Sequence, residues 1–166
     1  MFTLNLKREE ELRKIITRYP NVRAALLPAL WLVQEEAGFV SDEAIEYVAR
    51  ELDISAADVY GTVTFYTMFN RRKIGRHHIQ VCRNICCWLR GSEQILEYLK
   101  AKLGIDVKET TKDGMFTLGT VECLGACGTA PVMQIDNEYY ENLTQGKIDS
   151  ILENVIARSV GDEAIP

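Results

Sequence analysis

Positive charge is scarce in this sequence. Its 19 Lys and Arg stand against 24 Asp and Glu, a net charge of −5 over 166 residues. The basic residues are scattered apart from Arg71–Arg72–Lys73, so no phosphate-neutralising surface is visible and nucleic acid is not an expected partner. Long apolar runs are missing as well. The longest, Ala24 to Val33, is about half of what a membrane span needs and contains Pro28. The opening stretch, Met1 to Glu10, has no apolar signal core followed by a cleavage site. The expectation is therefore a protein that is neither secreted nor inserted in a membrane. No G-x-G-x-x-G follows a strand pattern, no Walker motif is present and no nucleophile–base pair stands out. Neither a nucleotide nor a flavin site is expected in this chain, and no complete active site. Absence of C-x-x-C also weighs against a thiol–disulfide protein.

What the sequence does contain is a core-forming share of apolar residues, 47%, enough for one larger domain or two small ones. It also contains five cysteines, confined to two stretches: Cys82, Cys86 and Cys87 in VCRNICCWLRG, and Cys123 and Cys127 in VECLGACGTAP. In a chain that is not exported such cysteines read as metal ligands or redox groups, because the cytosol keeps thiols reduced. Cys82-x4-Cys87 and Cys123-x3-Cys127 supply four thiolates, the number that a tetrahedral S4 site or an iron–sulfur cluster needs. Cys82-x3-Cys86 is a second possible first pair. Structural zinc uses closer knuckles, and the 35 residues between the pairs carry a helix pattern of their own. A [2Fe–2S] cluster fits better, because each iron takes two thiolates and two distant loops can each hold one. A zinc-stabilised binding module remains the non-enzyme alternative.

Along the chain, four helices are expected before residue 70. The first runs from about Lys7 to Tyr19 and stops at Pro20. The second starts near Val22, is kinked by Pro28 unless it begins later, and closes at Gly38. Ser41 caps the third and Ser55 the fourth. Val63 to Phe69 is rich in aromatic and β-branched residues and reads first as core, in strand or helix. The helical pattern gives way at Arg71 to Arg76, which divides a helical domain, 1–75, from an α/β domain, 76–166.

In the second part, His77 to Cys82 reads as a strand, Ser92 to Leu103 as an amphipathic helix ended by Gly104, and Met115 to Glu122 as a second strand. A hairpin from Val132 to Asp136 and Tyr139 to Asn142 follows. Thr144 caps a last helix, and 159–166 is expected to be a loose tail. A strand–helix–strand crossover makes the first two strands parallel, so both cysteine loops leave the carboxyl edge of one sheet. Gly125 and Gly128 suit a loop that aims backbone N–H groups at sulfur, and a helix beginning after Trp88 would point its positive end at the first pair. His77 and His78 suggest a Rieske-type centre, but in a strand His78 is roughly 13 Å from Cys82, and both are expected to be ordinary strand residues.

At VECLGACGTAPVMQI, the following YYENLT, CWLRG, DGMFTL and GTVTFYTMF, the chain resembles the NuoE family, the small [2Fe–2S] subunit of respiratory complex I, over roughly residues 7 to 157. The resemblance implies an α/β protein, α+β overall, with an N-terminal helical bundle and a thioredoxin-like ferredoxin domain. It implies cluster ligation by Cys82, Cys87, Cys123 and Cys127; Cys87 is favoured over Cys86 because Trp-Leu-Arg-Gly follows it as in the family. It further implies a partner flavoprotein that binds FMN and NADH, and an electron-transfer role in an NADH:quinone oxidoreductase, a translocase. The place implied is the cytoplasmic, peripheral arm of a membrane-bound complex, without insertion. Related NAD-linked hydrogenases and formate dehydrogenases use similar subunits. The helical domain and Phe65–Tyr66 are the candidate docking surface for the flavoprotein.

Overall fold

A computed structural model describes residues 2–162, the last three by their backbone alone. The chain divides into two compact units, Met1–Ile74 and Gly75–Pro166.

The first unit is built from four helices: α1 (Leu6–Ile16), α2 (Leu26–Ala37), α3 (Asp42–Glu51) and α4 (Ala56–Phe65). Each cap is visible in the sequence. Asn5 accepts from the Arg8 N–H, Ser41 from Ala44 and Ser55 from Asp58, each satisfying one of the donors a helix start leaves unpaired. α1 ends at Ile16, short of the expected Tyr19. Arg18 and Tyr19 bond back only three residues, because the residue before Pro20 is pushed out of the helical region. Val22–Ala25 forms a 3-10 turn, so α2 begins at Leu26 and Pro28 falls in its first turn, where its missing N–H leaves no bond unmade. Leu30, Val33, Val48, Leu52, Val59 and Val63 are fully buried between the helices. Gln34 is buried with them, giving its Nε2 proton to the Met68 carbonyl at 2.8 Å and accepting from the Asn70 N–H at 2.6 Å. It pins the segment that leaves α4. That segment departs from the reading as core: Val63 and Phe69 are buried, but Phe65 is 76% exposed, and Tyr66 and Met68 are also exposed.

The second unit is a four-stranded sheet of order β2-β1-β3-β4, formed by β1 (His77–Cys82), β2 (Phe116–Val121), β3 (Met133–Ile135) and β4 (Glu138–Tyr140). β1 and β2 are parallel, with Cys82 opposite Val121, and β3 runs antiparallel to both β1 and β4. A short helix, α5 (Ile85–Leu89), follows β1, then come α6 (Ser92–Leu103) and, after β4, α7 (Gln145–Asp162). Ile79, Leu118, Met133, Leu99 and Ile148 form the core between sheet and helices. α6 and α7 are tied together where the Tyr98 hydroxyl donates to Asp149 at 2.6 Å and Lys102 pairs with the same carboxylate. Gly75 sits where a side chain would strike the backbone: a Cβ there would lie 2.9 Å from the Gly114 carbonyl oxygen.

Thr144 caps α7 as expected, accepting from the Lys147 N–H. The loose tail expected from Ser159 does not begin there, because α7 continues to Asp162, and 163–166 lie outside the described residues. Ser159 is 2% exposed, donates to the Val155 carbonyl and stands 2.6 Å from His77 Nε2, while His77 Nδ1 stands 2.6 Å from Asp136. This contact between helix and strand is polar, so apolar periodicity does not report it. His78 takes part in no cysteine site; its burial pushes its pKa down. Among the described residues no helix is long and apolar enough to cross a membrane.

Candidate metal centre

Both cysteine stretches leave the carboxyl ends of the parallel strands β1 and β2, the edge at which open α/β sheets present ligands. Cys82 is the last residue of β1 and donates its N–H to the Val132 carbonyl at 3.1 Å; Arg83 N–H reaches the Val121 carbonyl at 3.0 Å. The backbone is therefore held on both sides as it turns into the first loop. Asn84 then caps α5, and both Cys86 and Cys87 lie within that helix. This corrects the expected helix start after Trp88: the helix at the first pair begins three residues earlier, and α6 starts only after Gly91. Five residues are too few to show an apolar period, which is why α5 escapes a reading by pattern.

The second loop runs from Val121 through Cys123 to a 3-10 turn at Cys127–Thr129. Gly125 has φ +76°, a conformation that glycine adopts without a Cβ penalty. Its N–H points back at Cys123 Sγ at 3.3 Å. This is the backbone-to-sulfur donation expected of the loop. It suits a thiolate, which only accepts.

The two pairs differ in burial. Cys82 and Cys87 are 2% and 3% exposed and pack with Ala130 and Val132, while Cys123 and Cys127 are exposed and Cys86 is half-buried. Burial pushes the Cys87 thiol up to about 11, with the neighbouring Cys82 adding to the shift. Cys127 is also raised, first by Cys86, then by its loss of solvent and by Cys123. The thiols thus face one another across the two loops, Cys87 with Cys82 and Cys127 with Cys123 and Cys86. Among the described residues no three Cys, His, Asp or Glu side chains are gathered as for one metal ion. Paired soft donors with a backbone N–H aimed at sulfur match the donor set of a two-iron cluster, in which each iron takes two thiolates.

Around this edge lie apolar side chains left uncovered. Ile85, Trp88 and Leu89 of α5 are 64%, 52% and 70% exposed. In a five-residue helix whose neighbours are candidate ligands, that is an unusual density of apolar surface. Spacing could not reveal it, since the inward and outward faces of α5 are set only by how it docks.

Comparison with known proteins agrees with this geometry. Residues 12–156 match the family model for thioredoxin-like [2Fe-2S] ferredoxins. An NADH-quinone oxidoreductase subunit of the NuoE type from Rickettsia conorii is 46% identical over 157 residues, covering 93% of this chain and 94% of its own. A second subunit of that type, from Rhizobium meliloti, is 47% identical over 145 residues, 87% and 86% of the two chains. Among solved structures, an NAD+-reducing [NiFe]-hydrogenase in the air-oxidized state superposes with a TM-score of 0.69 at 21% identity, a likeness of fold alone. The match covers 84% of this chain and 24% of that longer one.

Proposed function

Because this chain belongs to the thioredoxin-like [2Fe–2S] ferredoxin family, and within it to the NuoE group of NADH-quinone oxidoreductase subunits, we propose that it exchanges single electrons with the FMN of a partner flavoprotein. A [2Fe–2S] cluster supplies a one-electron carrier beside a flavin that NADH reduces two electrons at a time. In this reading Cys82 and Cys87 hold one iron and Cys123 and Cys127 the other. The observation that carries the assignment is the meeting of these two thiol pairs at the carboxyl edge of β1 and β2, with Gly125 N–H directed at Cys123.

Each part of the chain then has a task. Ala130, Val132 and the buried pair exclude water from one side of the centre, which strengthens every interaction with its charge. The exposed pair, Cys123 and Cys127, leaves the other side open to a partner. Ile85, Trp88 and Leu89 beside the centre, and Phe65, Tyr66 and Met68 of the first unit, are apolar surfaces of the kind an obligate partner covers. The flavoprotein supplies the FMN and NADH sites. The place that follows is the peripheral, cytoplasmic arm of a membrane-bound, proton-translocating complex. An NAD-linked hydrogenase or formate dehydrogenase as host has less behind it: 46% identity at near full length favours the quinone reductases over 21% for the hydrogenase.

The test is metal analysis of anaerobically purified chain, with electron paramagnetic resonance after dithionite reduction, followed by mixing with the flavoprotein. Equal iron and sulfide, a paramagnetic signal on reduction and electron transfer from NADH only in the mixture are expected. Zinc in place of iron would overturn the proposal.

A further inference from the structure

Four of the five cysteines are spoken for by the ligand reading, and the fifth is not at rest on the surface. α5 carries Cys86 and Cys87 at successive positions. Cys87 turns inward against Cys82, Ala130 and Val132, and Cys86 packs against that same cluster, as do Leu124 and Ala126 of the second loop. Cys86 is thus half-buried where the first loop meets the second. Its thiol interacts with Cys127, more strongly than Cys123 does.

We propose that Cys86 is a fifth thiol of the centre, a hydrogen-bond donor to the sulfur of Cys127 and not a ligand, and that it raises the centre's reduction potential. The proposal rests on the ligand set given above. Proton accounting supplies the direction. With metal held, Cys82, Cys87, Cys123 and Cys127 are thiolates and have no proton to give. Cys86 keeps its S–H, so it alone can donate across its contact with Cys127. A donor to a ligand sulfur withdraws charge from it and favours the reduced, more negative state over the oxidised one. Because S–H is a weak donor, the expected effect is about tenfold or less in the reduction equilibrium, up to about 59 mV for one electron.

The experiment compares the metal-loaded native chain with Cys86→Ala and Cys86→Ser, reading iron and sulfide content and the midpoint potential by redox titration. All three are expected to hold full iron and sulfide. Cys86→Ala should be harder to reduce, by up to tenfold in the equilibrium, and Cys86→Ser, which keeps a donor, should stay at or above the native potential. If Cys86→Ala fails to fold, Cys86→Val removes the donor at greater bulk. An unchanged potential in the non-donor variant, or an equal fall in the Ala and Ser variants, overturns the donor role. Loss of iron from a folded Cys86→Ala chain has a different meaning: it overturns the ligand set itself, by making Cys86 a ligand.

Discussion

Gln34 offers a quantitative test of how the first unit holds its exposed aromatic segment. Replacing it by Leu keeps the volume nearly constant but removes the donor to the Met68 carbonyl and the acceptor for the Asn70 N–H, bonds of 2.8 and 2.6 Å. Leaving a buried polar group unpaired costs about 1–3 kcal/mol. Two such groups would cost about 2–6 kcal/mol, but both bonds are only part-buried. Water therefore recovers some of the loss, and Leu gains some by burial, so a net loss of about 2 kcal/mol is expected. For a unit of this size each kcal/mol moves the midpoint by about 4–8 °C, so melting of the first unit should fall by about 8–16 °C. Circular dichroism melting gives the shift, and amide exchange gives its place: Asn70 should lose protection while the α3 core keeps its own. An unchanged melt, or a loss of protection spread evenly over the unit, would refute the idea that Gln34 anchors the segment after α4. Because Phe65 and Tyr66 precede the anchored residues, the same variant should also bind a flavoprotein partner more weakly than its stability loss explains.

Gly125→Ala should cost about 1–2 kcal/mol from its positive φ and disturb the N–H directed at Cys123; faster loss of iron to a chelator at unchanged fold would show it, and native retention would refute it. Phe65→Ala should leave the melting temperature unchanged, since the ring is 76% exposed, and weaken binding to the flavoprotein about tenfold in a titration, as loss of an aromatic anchor does; native affinity would remove this ring from the docking surface. His78 has a folded pKa below its ordinary 6.5 because burial opposes its charge. The unfolded chain therefore binds more protons as pH falls below about 6.5, and the stability present above that value should be lost as pH drops through the folded pKa. A melting profile of the His78→Gln variant should be flatter than the native one over that interval, and parallel profiles would contradict it.

The sequence was most legible where a single residue type does one physical job. Ser41, Ser55 and Thr144 mark helix starts because a side-chain oxygen three residues ahead of an unpaired N–H is a local arrangement. The stretch from Ser92 to Leu103 is a helix because its apolar residues repeat at helical spacing, and Gly104 ends it in a left-handed conformation. The parallel pairing of β1 and β2 follows from the handedness of a crossover, a rule that needs only the order of elements. Three features were hidden for stated reasons. α5 is too short for periodicity, the end of α7 is fixed by Ser159 and His77 through polar contacts, and Phe65 is apolar yet turned outward.

By itself, then, the order of residues determined which segments are helix and strand, that two cysteine stretches leave the same edge of one sheet, and that the chain carries no nucleotide motif. These are matters of local spacing and chain direction, which each stretch carries within itself. Only the tertiary structure decided that Cys82 and Cys87 are buried while Cys123 and Cys127 face outward, that Cys86 reaches across to Cys127, and that Trp88 and its neighbours remain uncovered. Burial and contact across loops depend on how distant segments dock, and two adjacent cysteines of identical chemistry are told apart only by what surrounds them.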